Sequence, residues 1–286
     1  MTVAKGRGDQ TLMTARRVGR APLNALDKAG EQMSFYARAI AWLPHTLVHF
    51  RKEVLRLLAE VTFGTGALAV IGGTIGVIAM MSGFTGVVVG LQGFAALEQL
   101  GSSVLTGFLS AYVNTRELAP VVAALALSAT VGCGFTAQLG AMRISEEIDA
   151  LEVMAVPSVP FLVTTRMIAG FVAVIPLYIV GLLAAYLASR TIATVFNGQS
   201  TGSYDHYFNL FLPPQDVLYS FAKVLIFAFV LILVHCYYGY HASGGPAGVG
   251  VAVGRAVRAA IITIAVLDFF VSLALWGTTT TVRVAG

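Results

Sequence analysis

Four carboxylates stand within seven residues of an otherwise apolar chain, and they are the side chains best placed to act in water. They are Glu146, Glu147, Asp149 and Glu152. On a helix, their spacing puts Glu146, Asp149 and Glu152 on one face, and Ile148 and Leu151 then lie on another. Acids on an exposed helix face can pair with Arg or Lys of another protein. A solvated helix without a partner fits this pattern equally well.

The flanking residues predict where this acidic helix begins and ends. We expect Ser145 to cap its N-terminus, because a serine hydroxyl can accept a hydrogen bond from a free backbone N–H of the first turn. Glu146 and Glu147 then lie in that turn, where the helix dipole favours negative charge. Arg143 precedes the helix, and we expect Pro157 to end it.

Further polar residues stand inside or beside apolar stretches, where charge is costly and indicates function. Arg116 and Glu117 lie at the predicted outer edge of the second stretch. They could line a lipid cavity, hold a neighbouring segment, or contact headgroups as an interfacial pair. Gln92 and Glu98 are candidates for the same cavity or for gating. Asp268 falls inside the last stretch, where we favour a structural pairing over a proton relay.

Patterns typical of enzymes and metal sites are missing from the sequence. The five histidines have no metal-type spacing, and neither H-E-x-x-H nor G-x-S-x-G occurs. Cys133 and Cys236 fall in apolar stretches and are interpreted as packing residues. No Gly–Lys pair exists, and so no G-x-x-x-x-G-K-S/T phosphate loop. We predict no catalytic residues, cofactor or metal, so any energy must come from another subunit or an ion gradient.

The composition places these residues in a bilayer. Of 286 residues, 57% are hydrophobic and 11% are charged, whereas soluble domains carry about 25% charged residues. Five apolar stretches can cross about 30 Å of hydrocarbon; they cover roughly 61–82, 118–141, 161–188, 217–238 and 257–277. We interpret residues 83–117 as an extension of the first span followed by a re-entrant or outer-leaflet segment. The predicted fold is all-α and polytopic.

The basic residues predict the orientation and three regions of the chain. Residues 1–60 carry ten of the eighteen Lys and Arg residues, and basic residues favour the cytoplasmic side. We therefore place the N-terminus and the acidic helix in the cytoplasm, and the chain in the cytoplasmic membrane. No nucleic-acid-binding motif accompanies the basic arm, and we predict no nucleic-acid partner.

The three regions differ in how their basic and apolar residues are distributed. Residues 1–30 are basic and predicted to be poorly ordered. Residues 31–60 predict an amphipathic helix with a bend at Trp42 and Pro44. Its apolar face lies in the headgroup boundary or packs on the protein's own core. Residues 61–286 form the transmembrane domain.

A longer motif surrounds the acidic helix. The chain reads Arg116-Glu117-Leu118-Ala119-Pro120, then Ser128-Ala129-Thr130-Val131-Gly132, then Ala137-Gln138-Leu139-Gly140-Ala141-Met142-Arg143-Ile144-Ser145-Glu146-Glu147-Ile148-Asp149-Ala150-Leu151-Glu152. This run resembles the signature of the MlaE/YrbE permease family, with R-E-L-G-P, A-G-R-x-G and A-E-L-G-x-M-R-x-T-E-Q-I-D-A-L-E. Gly90-Leu91-Gln92-Gly93 and Leu267-Asp268-Phe269 resemble two further elements of that family. The likeness covers about residues 45–280.

The chain departs from the family pattern at four positions. They are Ala119 for Gly, Thr130 for Arg, Gln138 for Glu and Glu147 for Gln. Roles that need an arginine at 130 or a glutamate at 138 cannot carry over. The departures and the basic N-terminal arm most resemble an actinobacterial B-type YrbE subunit.

The resemblance implies a permease subunit of an ATP-driven transporter that moves lipids or fatty acids across the cell envelope. The implied partners are a second YrbE-type permease, a cytoplasmic ABC ATPase, extracytoplasmic MCE-domain proteins and the lipid itself. The acidic helix would be the coupling helix, with Arg143, Ser145, Glu146, Glu147, Asp149 and Glu152 contacting the ATPase. Two alternatives stay open: an ion-coupled secondary transporter using Asp268, Glu117 or Glu98, and a membrane scaffold for an MCE assembly.

Overall fold

The computed structural model describes residues 27, 29–63 and 73–277, and the regular elements among these residues are helices. They are α1 (29–41), α2 (Leu43–His49), α3 (Arg51–Phe63), α4 (Thr74–Gln99), α5 (Ser103–Ile144), α6 (Glu147–Val153), α7 (Val159–Phe196), α8 (Thr201–Leu210), α9 (Pro214–Tyr240) and α10 (Gly245–Trp276). The predicted all-α fold is confirmed. Most of the basic N-terminal segment, and residues 64–72 of the predicted first span, lie outside the described residues.

Five of these helices are long and apolar enough to cross a membrane, which confirms the predicted fold class. They are α4, α5, α7, α9 and α10. The first of them is Thr74–Gln99, so the span predicted at 61–82 was placed too early. The re-entrant segment predicted within 83–117 was also wrong: residues 83–99 complete α4, and residues 103–117 begin α5.

Close packing between α4 and α7 explains this difference. A Cβ on Gly86 would lie 2.2 Å from the carbonyl oxygen of Ala185, so only glycine fits at this crossing. The Ser189 hydroxyl donates a 2.8 Å hydrogen bond to the Gly86 carbonyl, and Asn114 Nδ2 of α5 donates to Ser189 Oγ at 2.9 Å. The glycines of α4 therefore bring helices together, and they do not interrupt the helix.

Helix α5 is the longest of the described helices. Its 42 residues correspond to about 63 Å, well beyond the hydrocarbon thickness. Two π-helical turns interrupt it, at Asn114–Leu118 and Ser128–Gly132. Such turns insert an extra residue and redirect side chains, and they are frequent at functional sites. The first of them carries Arg116 and Glu117.

The spans alternate in direction and define two ends of the bundle. At one end, which we call the α6 end, lie α1, α2, α3 and α6. There the Phe35 ring of α1 packs 5.5 Å from that of Tyr237 and 5.3 Å from that of His241, at the end of α9.

At the opposite α8 end, Arg190 holds Asp205 of α8 through two hydrogen bonds of 2.7 and 2.8 Å. The bond from this guanidinium lowers the pKa of the Asp205 carboxyl. The ion pair therefore ties α8 to the end of α7.

The region 31–60 contains three helices. The predicted bend is present at Trp42, and a second break at Phe50 separates α2 from α3. Val54 and Leu57 of α3 are buried against Ile168 and Ala169 of α7. A second set of apolar side chains is more than half exposed: Leu47, Val48 and Leu55. One apolar surface thus packs on the protein core, and another is free for lipid.

The α4–α7 crossing predicts opposite effects for two glycine substitutions. Gly86→Ala must push the helices apart and should lower the stability by about 1–3 kcal/mol. Gly83→Ala meets nothing within 4 Å and should be neutral or stabilising by up to about 1 kcal/mol through helix propensity. Thermal unfolding of the full-length variants in detergent checks this. Equal melting temperatures for the two variants would contradict the packing.

Candidate functional site

Arg116 is buried within α5, and the charge of its guanidinium is paired with that of a carboxylate. Its Nε lies 2.9 Å and its Nη2 lies 2.7 Å from Asp216 Oδ2 at the start of α9, and both side chains are 8% exposed. The guanidinium also lies over the rings of Tyr112, at 4.3 Å, and Trp276, at 5.4 Å. Trp276 Nε1 donates a 2.9 Å hydrogen bond to the other oxygen of Asp216. Paired charges and aromatic faces together compensate the desolvation of the cation.

Lys223 of α9 is fully buried and has four acceptors around its ammonium group. Nζ lies 2.8 Å from Glu117 Oε2, 2.6 Å from Asp268 Oδ1, 2.7 Å from Ser272 Oγ and 2.8 Å from the Arg116 carbonyl oxygen. Ser272 in turn donates to Glu117 at 3.0 Å. Asp268 is thus paired with a lysine of the same chain.

We call Arg116, Glu117, Asp216, Lys223 and Asp268 the membrane ion cluster. It joins α5, α9 and α10 near the α8 end, with three carboxylates around two cations. Two of its carboxylates remain partly exposed: the side chain of Glu117 by 43% and that of Asp268 by 26%. A partly exposed carboxylate at this depth indicates a water-filled cavity or a covering protein, because lipid tails solvate charge poorly.

Two open cavities flank the cluster. The first, of about 580 Å³, is lined by aromatic residues together with Arg116 and Asp216: Phe108, Tyr112, Phe211, Tyr219 and Trp276. The second, of about 360 Å³, is lined by Glu117, Asp268 and Ser272 and by Phe269 and Leu273. Each cavity therefore combines an apolar wall with charged groups, which suits an amphipathic ligand.

Gln92 and Glu98 are not part of this arrangement. Both are exposed residues of α4, and neither lines either cavity. Two members of the cluster, Asp216 and Lys223, were not among the residues predicted from the sequence. The signal for Lys223 was its place within the apolar stretch 217–238, where a lysine requires partners.

The acidic helix begins differently from the prediction. Ser145 is not its N-cap: it ends α5, and its hydroxyl donates to the Ala141 carbonyl at 3.0 Å and to Glu147 Oε1 at 2.9 Å. Glu146 precedes α6 with a φ of 62°, because the tight turn from α5 into α6 needs one left-handed residue. Helix α6 ends at Val153, four residues before Pro157.

Two of the three acids expected to face a partner are bound within the chain. Asp149 pairs with Arg143 at 2.7 Å on the surface. Glu152 Oε1 accepts a 2.6 Å hydrogen bond from Ser158 of α7 and a longer one, of 3.4 Å, from the Tyr240 hydroxyl. Glu146 and Glu147 are exposed, and they remain the acids most available to another protein.

The other side of α6 is apolar and divides into a buried and an exposed part. Ile148 is fully buried and anchors the helix to the core. Val153 and Met154 are 88% and 64% exposed at its C-terminal end. The exposed surface at α6 therefore combines the carboxylates of Glu146 and Glu147 with an apolar C-terminal end.

One departure from the family motif has a structural role. Gln138 Nε2 donates a 2.9 Å hydrogen bond to Glu60 Oε1 of α3, and its Oε1 accepts a 3.3 Å bond from Arg166 Nη2 of α7. The amide thus bridges an acid and a base, whereas a glutamate here would lie against Glu60. Gln138 therefore joins α3, α5 and α7 at the α6 end.

No three His, Cys, Asp or Glu residues within 27, 29–63 and 73–277 are grouped to hold a metal ion. The membrane ion cluster has its carboxylates occupied by lysine and arginine. Its chemistry is therefore ion pairing and hydrogen bonding beside an amphipathic cavity.

Comparison with known proteins gives a consistent family. The family model described as Permease MlaE matches residues 63–274. A probable ABC transporter permease protein of Rickettsia bellii is 29% identical over 158 residues, covering 55% of this chain and 61% of the relative. A probable ABC transporter permease protein of Synechocystis, slr1045, is 28% identical over 177 residues, covering 60% and 65%.

A plant protein is also similar to this chain. The chloroplast protein TRIGALACTOSYLDIACYLGLYCEROL 1 of Arabidopsis thaliana is 28% identical over 174 residues, covering 61% of this chain and 50% of the relative. The chain spans about six-tenths of the length of the first curated relatives it matches. The family match covers the membrane helices, the ion cluster and α6 together, and the chain belongs to the MlaE permease family.

Proposed function

We propose that this chain is the permease subunit of an ATP-driven transporter that moves lipids or fatty acids across the cell envelope. The observation that carries the proposal is the continuity of α9. Its first turns hold Asp216 and Lys223 in the ion cluster, and its last residue, Tyr240, contacts Glu152 of α6. Asp216 and Tyr240 are 24 positions apart, about 36 Å along a helix. Movement of α6 can therefore reach the cavities through one rigid element.

Lipid as the substrate class is supported by the cavity chemistry. Aromatic walls suit acyl chains, and the paired charges of Arg116 and Asp216 can exchange partners with a polar headgroup. The plant relative is named after a lipid, trigalactosyldiacylglycerol. We extend this substrate class to the present chain without choosing among lipids.

The energy source is proposed to be a separate ATPase on the α6 end. The relatives from Rickettsia and Synechocystis are described as ABC transporter permeases. The positive-inside rule puts the α6 end, and with it the N-terminus, in the cytoplasm, where ATP is available. Glu146, Glu147 and the apolar tip at Val153 and Met154 are the proposed contact surface. Ser145 and Glu152 would hold α6 in its docking position through their hydrogen bonds, and the exposed pair of Arg143 and Asp149 would lie beside the contact surface.

A second permease subunit is proposed to cover the exposed face of α10. This face carries Ile262, Val266, Phe269 and Phe270, each more than half exposed. The partly exposed carboxylates of Glu117 and Asp268 lie beside it. A second YrbE-type subunit would shield these carboxylates from lipid and close the smaller cavity. MCE-domain proteins are proposed to dock on the α8 end and to carry lipid between envelope layers.

Ion coupling is the second candidate, because Glu117 and Asp268 are partly exposed carboxylates within the membrane. The two functions separate in proteoliposomes that contain the full complex and labelled lipid. We expect lipid transfer to require ATP and a competent ATPase, and to continue when a protonophore removes the pH gradient. Transfer driven by a pH gradient without ATP would contradict the proposal. Transfer that persists with an inactive ATPase would instead favour the scaffold function.

The exposed carboxylates of Glu146 and Glu147 lead to a prediction about ATPase docking. Replacing Glu146 and Glu147 together by Lys should weaken ATPase binding at least roughly tenfold, as expected for reversed contacts at an interface. Asp149→Asn should change the affinity by less than about twofold, since its surface pair with Arg143 contributes little. Binding of the purified ATPase to each full-length variant in nanodiscs measures this. The reverse order of the two effects would contradict the assignment of the contact surface.

A further inference from the structure

A third cavity lies at the α6 end, away from the membrane ion cluster. It has a volume of about 850 Å³ and is bounded by α1, the end of α9 and the first turns of α10. Its polar and aromatic lining residues include Glu31, Tyr237, Tyr238, His241, Ser243 and Arg255. The ring contacts of Phe35 with Tyr237 and His241 fix α1 against α9, so the walls come from packed helices.

The position of this cavity relative to the bilayer follows from the length of α10. Thirty-two residues give a helix of about 48 Å, which exceeds about 30 Å of hydrocarbon. Trp276 ends this helix at the α8 end, and the exposed apolar Ile261 and Ile262 follow Arg255 and Arg258 along it. Arg255 lies ten positions from Gly245, about 15 Å. The cavity therefore opens where phospholipid headgroups lie.

The cavity carries one charge of each sign. Arg255 of α10 and Glu31 of α1 both line it, and within the described part of the chain neither side chain forms an ion pair. A guanidinium binds phosphate through two parallel hydrogen bonds. A carboxylate beside the rings of Tyr237 and Tyr238 suits an ammonium group, which also interacts favourably with aromatic faces.

We propose that this cavity binds a glycerophospholipid whose headgroup carries both a phosphate and an ammonium group. The lipid belongs to the leaflet at the α6 end, and its acyl chains begin along the exposed Val251 of α10, which lies nearer the α6 end than the face that the second permease subunit would cover. Arg255 holds the phosphate and Glu31 holds the ammonium. The site is separate from the two cavities at the α8 end, and it does not depend on the transport function proposed above.

Photolabelling of the full-length protein in nanodiscs tests this site. The probe is phosphatidylethanolamine with a diazirine near the glycerol, and the labelled peptides are mapped by mass spectrometry. We expect adducts on residues 237–255, and Arg255→Gln should reduce them about tenfold, as for the loss of a charge-assisted contact. Glu31→Gln should remove the preference for this probe over the phosphatidylglycerol analogue, which has no ammonium group.

Arg258→Gln is the matched control. Arg258 is exposed on the next turn of α10 and does not line the cavity, so its replacement should leave labelling at residues 237–255 unchanged. The melting temperature of each variant in detergent confirms that it is folded. Equal labelling of the Arg255 and Arg258 variants would overturn the site. An unchanged probe preference in Glu31→Gln would overturn the headgroup class.

Discussion

A fully buried lysine in a membrane protein constrains the positions of the helices that surround it. The buried ammonium group of Lys223 requires carboxylates and other acceptors around it, because burying an unpaired ion costs several kcal/mol. Glu117 comes from α5, and Asp268 and Ser272 come from α10. The requirement to pair one cation thus fixes the relative positions of three membrane helices. It also places charged groups beside two apolar cavities.

The same helix that carries Lys223 connects the two ends of the bundle. Helix α9 ends beside Glu152 of α6 and beside the aromatic residues that hold α1. The α6 end is tied further by Gln138, which links α3, α5 and α7. In the proposed function, an input at α6 would be transmitted through these packed helices and the hydrogen bonds that join them. In the proposed transporter, this arrangement separates the docking surface from the lipid cavities while keeping them mechanically joined.

The sequence predicted the features that depend on local pattern. Membrane helices follow from uninterrupted apolar stretches, and the acidic helix follows from the spacing of Glu146, Asp149 and Glu152. The prediction failed where distant residues decide the outcome. A re-entrant segment was predicted within 83–117, but residues 83–99 belong to one helix, in which Gly86 packs closely against Ala185 of another span. Ser145 has the chemistry of an N-cap, but the turn geometry gave that position to Glu146.

The membrane ion cluster also depends on residues that are distant in the sequence. Arg116, Glu117 and Asp268 were recognisable as costly charges within the membrane, but their partners were not. Asp216 and Lys223 lie about one hundred positions after Arg116, and no periodicity connects residues so distant. Glu152 was expected to face a partner protein, because a helical face shows which acids are aligned and not which are already bound. Its contacts with Ser158 and Tyr240 required the folded arrangement.

The coupling between Lys223 and Asp268 tests the central claim most directly. A double-mutant cycle would compare the unfolding free energies of Lys223→Met, Asp268→Asn and the combined variant in detergent. The account predicts that the combined variant is more stable than the sum of the single effects indicates, by about 1–3 kcal/mol. Additive effects would show that the two side chains do not interact, and would contradict an ion cluster that holds α5, α9 and α10 together.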